Sequence, residues 1–117
     1  MFVDWSKIPP HQVLPGVRLR TPHGDKIMLS MVELDAGAVV PWHSHPHEQA
    51  GLMLEGELEF VIGAESRMCR PGDSFIIPGN VEHTVRAVTA CRVLDIFSPP
   101  REDYIALGNT YIPQSQR

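Results

Sequence analysis

The chain has 117 residues, of which 43% are hydrophobic and 21% charged, as is typical of a single folded domain. Its formal net charge is −4 at pH 7, and its lysines and arginines are scattered, which excludes a basic nucleic-acid-binding stripe. No apolar run approaches the length of a membrane span, and the first residues lack a signal-peptide core, so we expect a cytoplasmic protein without membrane or nucleic-acid partners.

Eleven prolines and nine glycines divide the chain into short segments, which favours short strands over long helices. Residues 1–16 are predicted to form an N-terminal arm that packs across the domain or onto a second subunit. Residues 101–107 are predicted to form one or two helical turns, and residues 108–117 a C-terminal tail. In chain order, the predicted strands are 17–20, 26–35, 39–45, 49–54, 57–62, 67–70, 74–77, 83–88 and 91–97. So many short strands imply an all-β antiparallel sandwich or barrel over residues 17–107.

The residues best suited to chemistry are in the segment HSHPHEQ at positions 43–49. His43 and His45 are one residue apart, which predicts that both lie on the same side of a strand. Gln49 begins the next strand, and His83 comes from a separate strand pair. Three imidazoles and an oxygen donor suit a divalent transition metal such as zinc, nickel, manganese or iron(II). The sequence therefore predicts a metal site made of these four residues.

Two neighbours of the predicted ligands are expected outside the ligand set. His47 follows Pro46 in a turn, so we expect it at the rim of the site or beside a ligand. Glu48 orients a ligand or faces solvent, because its side chain points away from that of Gln49. The alternative for the whole cluster is that its histidines only cap strands and bind no metal.

The same residues resemble the first motif of the cupin family. Gly37, His43, His45 and Gly56 have the spacing of that motif, and Gln49 replaces its glutamate. A neutral amide in place of a carboxylate leaves a bound metal one charge more positive. This change is expected to strengthen the metal as a Lewis acid and to disfavour oxidation chemistry.

A second stretch resembles the second cupin motif. Gly72, Pro78 and His83 match it, whereas Asn80 replaces its second glycine and Ala87 its final asparagine. Asparagine tolerates the left-handed turn that glycine serves there, so this change is mild. Fifteen residues separate the two motifs, as is typical of single-domain cupins. The resemblance implies a jelly roll, which is an antiparallel double-stranded β-helix, followed here by a short C-terminal helical turn.

The last long strand carries a carboxylate. Asp95 shares a strand face with Phe97, and a carboxylate on an apolar face needs a partner or a purpose. If that face lines the barrel, Asp95 lies near the metal, burial raises its pKa, and it can move a proton. Residues 99–100 are prolines that would hold Arg101 at the barrel mouth, where its guanidinium can bind a carboxylate. The alternative is a surface salt bridge between Asp95 and an arginine, with Phe97 in the core.

Residues 43–49 and 95–104 together resemble the pectin degradation protein branch of the cupins. That resemblance implies an enzyme that opens the ring of 4,5-unsaturated monouronates to give 5-keto-4-deoxyuronate. It implies metal ligands at His43, His45, Gln49 and His83, and functional residues at Asp95, Phe97 and Arg101.

Two other functions stay open. Three histidines and an open coordination position also permit an iron(II) dioxygenase, and a non-enzymatic small-molecule-binding module is possible as well. The expected partner of the enzyme is a small anionic sugar. A homodimer is also expected, because small cupins often pair and the proline-rich arm can exchange across an interface.

Overall fold

Side chains alternate between a buried and an exposed face along the longer strands, as period-two patterning dictates. The computed structural model describes residues 1–108. After a 3-10 turn at Trp5–Lys7, the described strands are β1 (His11–Leu14), β2 (Val17–Arg20), β3 (Met28–Leu34), β4 (Val39–His43), β5 (Glu48–Glu55), β6 (Leu58–Ile62), β7 (Glu65–Cys69), β8 (Ser74–Ile77), β9 (His83–Ala87) and β10 (Cys91–Ser98).

The strands form two antiparallel sheets with an apolar core between them. The larger sheet has the order β1-β2-β3-β10-β5-β8, and the smaller has the order β4-β9-β6-β7. Both sheets contribute buried residues to one continuous core, which includes Val17, Met53, Leu58 and Ala87. A short helix, α1 (Glu102–Ile105), follows the last strand. The predicted all-β jelly roll with a C-terminal helical turn is therefore confirmed.

The N-terminal segment is more regular than the sequence suggested. Residues 11–14 form β1, which pairs with β2 of the same chain, and Val13 and Leu14 pack against the core. These apolar side chains give the strand a face to bury, so this part of the predicted arm extends the larger sheet.

Most of the predicted tail, residues 109–117, lies outside the described residues. Within residues 1–108, no helix combines the length and the apolar character that crossing a bilayer requires.

Close backbone contacts bring the two histidine-bearing segments together. Asn80 has a φ of 67°, so it adopts the left-handed turn expected where the motif has glycine. Its backbone N–H donates to the carbonyl oxygen of His45 at 2.8 Å. A Cβ on Gly79 would lie 2.5 Å from the carbonyl oxygen of Pro46, so only glycine permits this approach. The β8–β9 turn therefore supports the loop that carries His45.

Candidate metal centre

Three histidines meet at one end of the space between the sheets. His43 ends β4 and is the cross-strand partner of His83, which begins β9. The ring centroids of this pair are 4.1 Å apart, and the His45 ring is 5.1 Å from that of His83. One ring nitrogen from each residue lies within 4.8 Å of the others. The structure thus brings together the three predicted imidazole ligands.

His45 reaches this cluster by a different route from the one predicted. The prediction that it shares a strand with His43 is wrong, because β4 ends at His43 and His45 lies in the following loop. Its carbonyl oxygen accepts from Asn80 instead of from a neighbouring strand, and Pro46 then redirects the chain. The loop, rather than strand periodicity, aims the ring at the cluster.

Backbone carbonyls fix the tautomer of all three rings. Because a carbonyl oxygen only accepts, the Nδ1 atom facing it carries the hydrogen, and the Nε2 atom of the neutral ring keeps its lone pair. Three lone pairs are thus presented by neighbouring rings, as a metal site requires. The Nδ1–H groups donate at 2.8 Å from His43 to Pro41, at 3.0 Å from His45 to His47 and at 2.9 Å from His83 to Val81.

Burial favours the neutral form of the His83 and His45 rings. His83 is 2% exposed, and burial lowers its pKa to about 4. Burial is also the main cause of the lowered pKa of His45, with the positive charge of Arg101 adding to it. The Nε2 atom of His83 is enclosed and has no hydrogen-bond partner among the described residues. An enclosed lone pair without a donor fits a metal ligand.

The side chain of Gln49 places an oxygen atom beside the three histidines. It is 6% exposed, and its Oε1 lies 3.1 Å from Nε2 of His45. The side-chain amide of Gln49 hydrogen-bonds Asp95 and favours its charged form, which assigns the amide nitrogen to the Asp95 side. The amide oxygen of Gln49 is therefore the atom that faces His45. Oε1 of Gln49 and the lone pair on Nε2 of His45 are both acceptors, so they cannot hydrogen-bond each other. Two ligand atoms that bind one cation at about 2.1 Å and at right angles lie about 3 Å apart, which matches the observed separation. Three imidazole nitrogens and an amide oxygen therefore fit a divalent transition metal.

Asp95 and Phe97 lie beside this cluster on the inward face of β10. Phe97 is buried, and its ring meets that of His45 edge-on with centroids 5.6 Å apart. Asp95 is half-buried, but its Oδ1 is enclosed and has no hydrogen-bond partner among residues 1–108. Burial raises the pKa of Asp95 to about 7, against the opposite effects of Gln49 and Arg101. Asp95 is therefore part of the barrel lining and not of a surface salt bridge.

Arg101 lies at the cavity wall, and residues that closely follow it in the chain hold its side chain in place. Its Nε and Nη2 atoms donate to the two carboxylate oxygens of Asp103 at 3.2 and 2.7 Å. Its guanidinium carbon lies 3.9 Å from the ring centroid of Tyr104 and 5.1 Å from that of Phe97. The side chain is only 11% exposed, and the edge formed by Nη1 and Nη2 keeps donors that Asp103 does not use.

A family model described as a cupin domain matches residues 30–97, which carry all three histidines and Asp95. The chain belongs to the cupin family. This cupin is 34% identical over 83 residues to the pectin degradation protein KdgF of Dickeya dadantii, covering 69% of this chain and 76% of that protein. The structure of KdgF from a Halomonas species superposes with a TM-score of 0.84 at 32% identity, covering 89% and 97% of the two chains.

A third relative shows that similar cupins serve other chemistries. The L-ectoine synthase of Nocardia farcinica is 32% identical over 81 residues, covering 66% of this chain and 62% of that protein. The family alone therefore does not identify a reaction, and the site residues must support it.

The cupin has room for an ion and a small ligand in its lumen. The cavity beside the histidines has a volume of about 100 Å³, several times the roughly 10–15 Å³ that one enclosed water needs. His43, Gln49, Asp95 and Arg101 line it together with apolar side chains from both sheets. Of the predicted residues, all except His45 line this same space.

Three polar residues near the cavity lie outside the predicted ligand and catalytic set, and of these only Tyr104 was assigned no role from the sequence. Tyr104 lines the cavity, and burial raises its pKa to about 12, so its hydroxyl stays protonated. His47 lies beside the ligands but outside the three-histidine group, and its Nε2–H donates to Glu102 at 3.1 Å. Glu48 faces solvent. A sequence signal for Tyr104 existed, since an aromatic residue three positions after an arginine in a helical turn can stack on it.

Proposed function

We propose that this cupin is a metal-dependent isomerase that opens the ring of 4,5-unsaturated monouronates to give 5-keto-4-deoxyuronate. The single observation that carries the chemistry is the convergence of one ring nitrogen from each of three histidines beside a cavity that an enclosed Asp95 lines. Similarity to two KdgF proteins, one of them named a pectin degradation protein, supports the substrate class.

His43, His45 and His83, with the oxygen of Gln49, are the residues that would hold the ion. A bound zinc, nickel, manganese or iron(II) ion would supply a Lewis acid for hydroxyl or ring oxygens of the uronate. Gln49 contributes no charge, so the ligand set is neutral. This arrangement suits binding of an anionic sugar, because the protein as a whole is negative and must attract its substrate locally.

Asp95 is the residue we assign to proton transfer. As the ring opens, its carboxylate accepts the proton of the anomeric hydroxyl while the ring carbon–oxygen bond breaks. The same proton then passes to the enol carbon, so that a ketone forms and substrate and product are isomers. No oxidant or reductant is consumed. A carboxyl group with a pKa of about 7 is suited to both steps near neutral pH.

Arg101 is assigned to the substrate carboxylate. Asp103 and Tyr104 fix its guanidinium at the cavity wall, so little side-chain entropy is lost when the Nη donors that Asp103 does not use bind the substrate. Phe97 forms the apolar wall next to the guanidinium. A planar carboxylate matches two parallel N–H donors, whereas a neutral sugar does not.

Arg101→Lys is expected to raise the KM for unsaturated galacturonate by about tenfold, since a point charge replaces a two-pronged donor. Steady-state kinetics followed by ultraviolet absorbance measure this change. Arg70→Lys, at an exposed arginine that pairs with Glu57, is the matched control. An unchanged KM in the Arg101 variant would remove this residue from substrate binding.

The function itself is tested by incubating unsaturated galacturonate with metal-loaded protein. The absorbance of the conjugated double bond should decay faster than in buffer, and chelation of the metal should abolish the acceleration. No acceleration by loaded protein would contradict the proposal. Oxygen uptake that depended on iron would instead identify the dioxygenase alternative.

We also propose that this cupin forms a homodimer through the outward face of the larger sheet. Apolar side chains align there across four adjacent strands: Ile96 is opposite Leu29 and Ala50, and Ala50 is opposite Ile76. Ile76 is 68% exposed. A second copy that presented the same face would remove this apolar row from water.

Ile76→Lys is expected to shift the protein from dimer to monomer at micromolar concentration, because a charge would be buried in the contact. Light scattering after size exclusion measures the mass. Ile27→Lys changes an apolar residue that is 51% exposed outside this row and should leave the mass unchanged. A wild-type protein that stays monomeric would rule out this interface.

A further inference from the structure

Two enclosed polar atoms without partners lie on neighbouring strands behind the proposed catalytic carboxylate. Ser30 is 0% exposed, and its Oγ has no hydrogen-bond partner among the described residues. Oδ1 of Asp95 is likewise enclosed and has no hydrogen-bond partner among the described residues. Each such atom destabilises the folded state when it stays unpaired, so their coincidence calls for a physical reason.

Strand register makes these two residues direct neighbours. Ser30 on β3 is the cross-strand partner of Asp95 on β10, so their side chains share a face of the sheet. Cβ atoms in such antiparallel pairs lie about 4.5–5.5 Å apart. A serine hydroxyl that rotates about its Cα–Cβ bond reaches a carboxylate at that range, directly or through one water.

The remaining neighbours of Asp95 do not compete for this side of the carboxylate. Its other cross-strand partner is Gly51, which has no side chain and is covered by the ring of Phe75. Gln49 and Arg101 approach from the metal centre and the cavity wall. Among the cross-strand partners of Asp95, Ser30 is thus the one with a hydrogen-bond donor in its side chain.

We propose that Ser30 is a positioning residue for Asp95: on rotating about its Cα–Cβ bond, its hydroxyl donates to Oδ1, directly or through one water, and turns the second carboxylate oxygen toward the cavity. This inference rests on the proposed function, in which Asp95 transfers the proton. A carboxylate held at one oxygen meets its proton donor in one orientation, so loss of the hydroxyl slows the chemical step and not substrate binding.

Steady-state kinetics of Ser30→Ala and Ser30→Thr test the positioning role. Ser30→Ala is expected to lower kcat for unsaturated galacturonate about tenfold with KM unchanged within about twofold. Ser30→Thr keeps the hydroxyl and is expected to recover most of kcat. Ser66→Ala, at an exposed serine on β7, is the matched control. A Ser30→Ala enzyme with wild-type kcat overturns the positioning role.

A double-mutant cycle on metal-free protein tests the contact without any substrate. Ser30→Ala is expected to raise the equilibrium constant for unfolding in urea about fivefold in the wild-type background, and to lose this effect in an Asp95→Ala background. Equal effects in both backgrounds overturn the contact. If the two substitutions are coupled in a protein that does not act on unsaturated uronates, the proposed function is contradicted and the Ser30–Asp95 contact is supported.

Discussion

Asp95→Asn is expected to lower kcat for unsaturated galacturonate by a factor of about 10²–10⁴ while the bound metal is retained. Asparagine has the shape of aspartate but cannot accept and return a proton. The three histidines and Gln49 are unchanged in this variant, so its metal content should equal that of the wild type. Steady-state kinetics and elemental analysis on the same sample separate the two effects.

The same variant is expected to be more stable than the wild type when both are metal-free at pH 8. The pKa of Asp95 is about 7 in the folded protein and near its ordinary 3.8 in the unfolded chain. The stability that this carboxyl group contributes is therefore present below about pH 4 and is lost as the pH rises through 7. Asparagine removes that loss, which is about 2 kcal/mol or more.

Urea unfolding at pH 8 and at pH 4 measures this difference, which should be large at pH 8 and small at pH 4. An Asp95→Asn protein that is both fully active and no more stable than the wild type at pH 8 would contradict the assignment of Asp95 as an enclosed proton carrier.

His83→Ala is expected to remove the metal and, with it, turnover. His83 is the most deeply buried of the three histidines, and its Nε2 has no partner within residues 1–108 apart from the proposed ion. Loss of one of four ligands should reduce metal affinity and kcat by a factor of about 10² or more. Elemental analysis after dialysis and the ultraviolet assay measure the two losses.

His11→Ala is the control for this experiment, because His11 lies on β1 outside the three-histidine group. It should keep both metal and turnover. A His83→Ala protein that binds metal as tightly as the wild type would show that the ion is held elsewhere.

The clustering of three histidines was predictable because a family motif fixes their spacing in the chain. His43, His45 and His83 were chosen from that spacing, and the structure brings them together. Asn80 illustrates the same point, since the motif required a left-handed turn and asparagine adopts it. The all-β fold followed from turn signals between short apolar segments.

The details that were not predictable depend on contacts between distant segments. His45 lies outside the strand, and its carbonyl oxygen accepts a hydrogen bond from Asn80 in another turn. The periodicity of the sequence does not reveal this contact. Ser30 became notable only when the register of β3 against β10 placed it opposite Asp95. The N-terminal strand likewise needed a partner edge on β2. Such features arise from tertiary packing, whereas local patterns report only on local structure.

The proposed function requires the Nε2 atoms of His43, His45 and His83 to bind one divalent cation. X-ray absorption at the metal edge, together with elemental analysis of the purified full chain, tests it most directly. We expect one ion per chain, surrounded by three imidazole nitrogens at about 2.0–2.1 Å. A protein that takes up no divalent ion, or holds one without imidazole ligands, would contradict it.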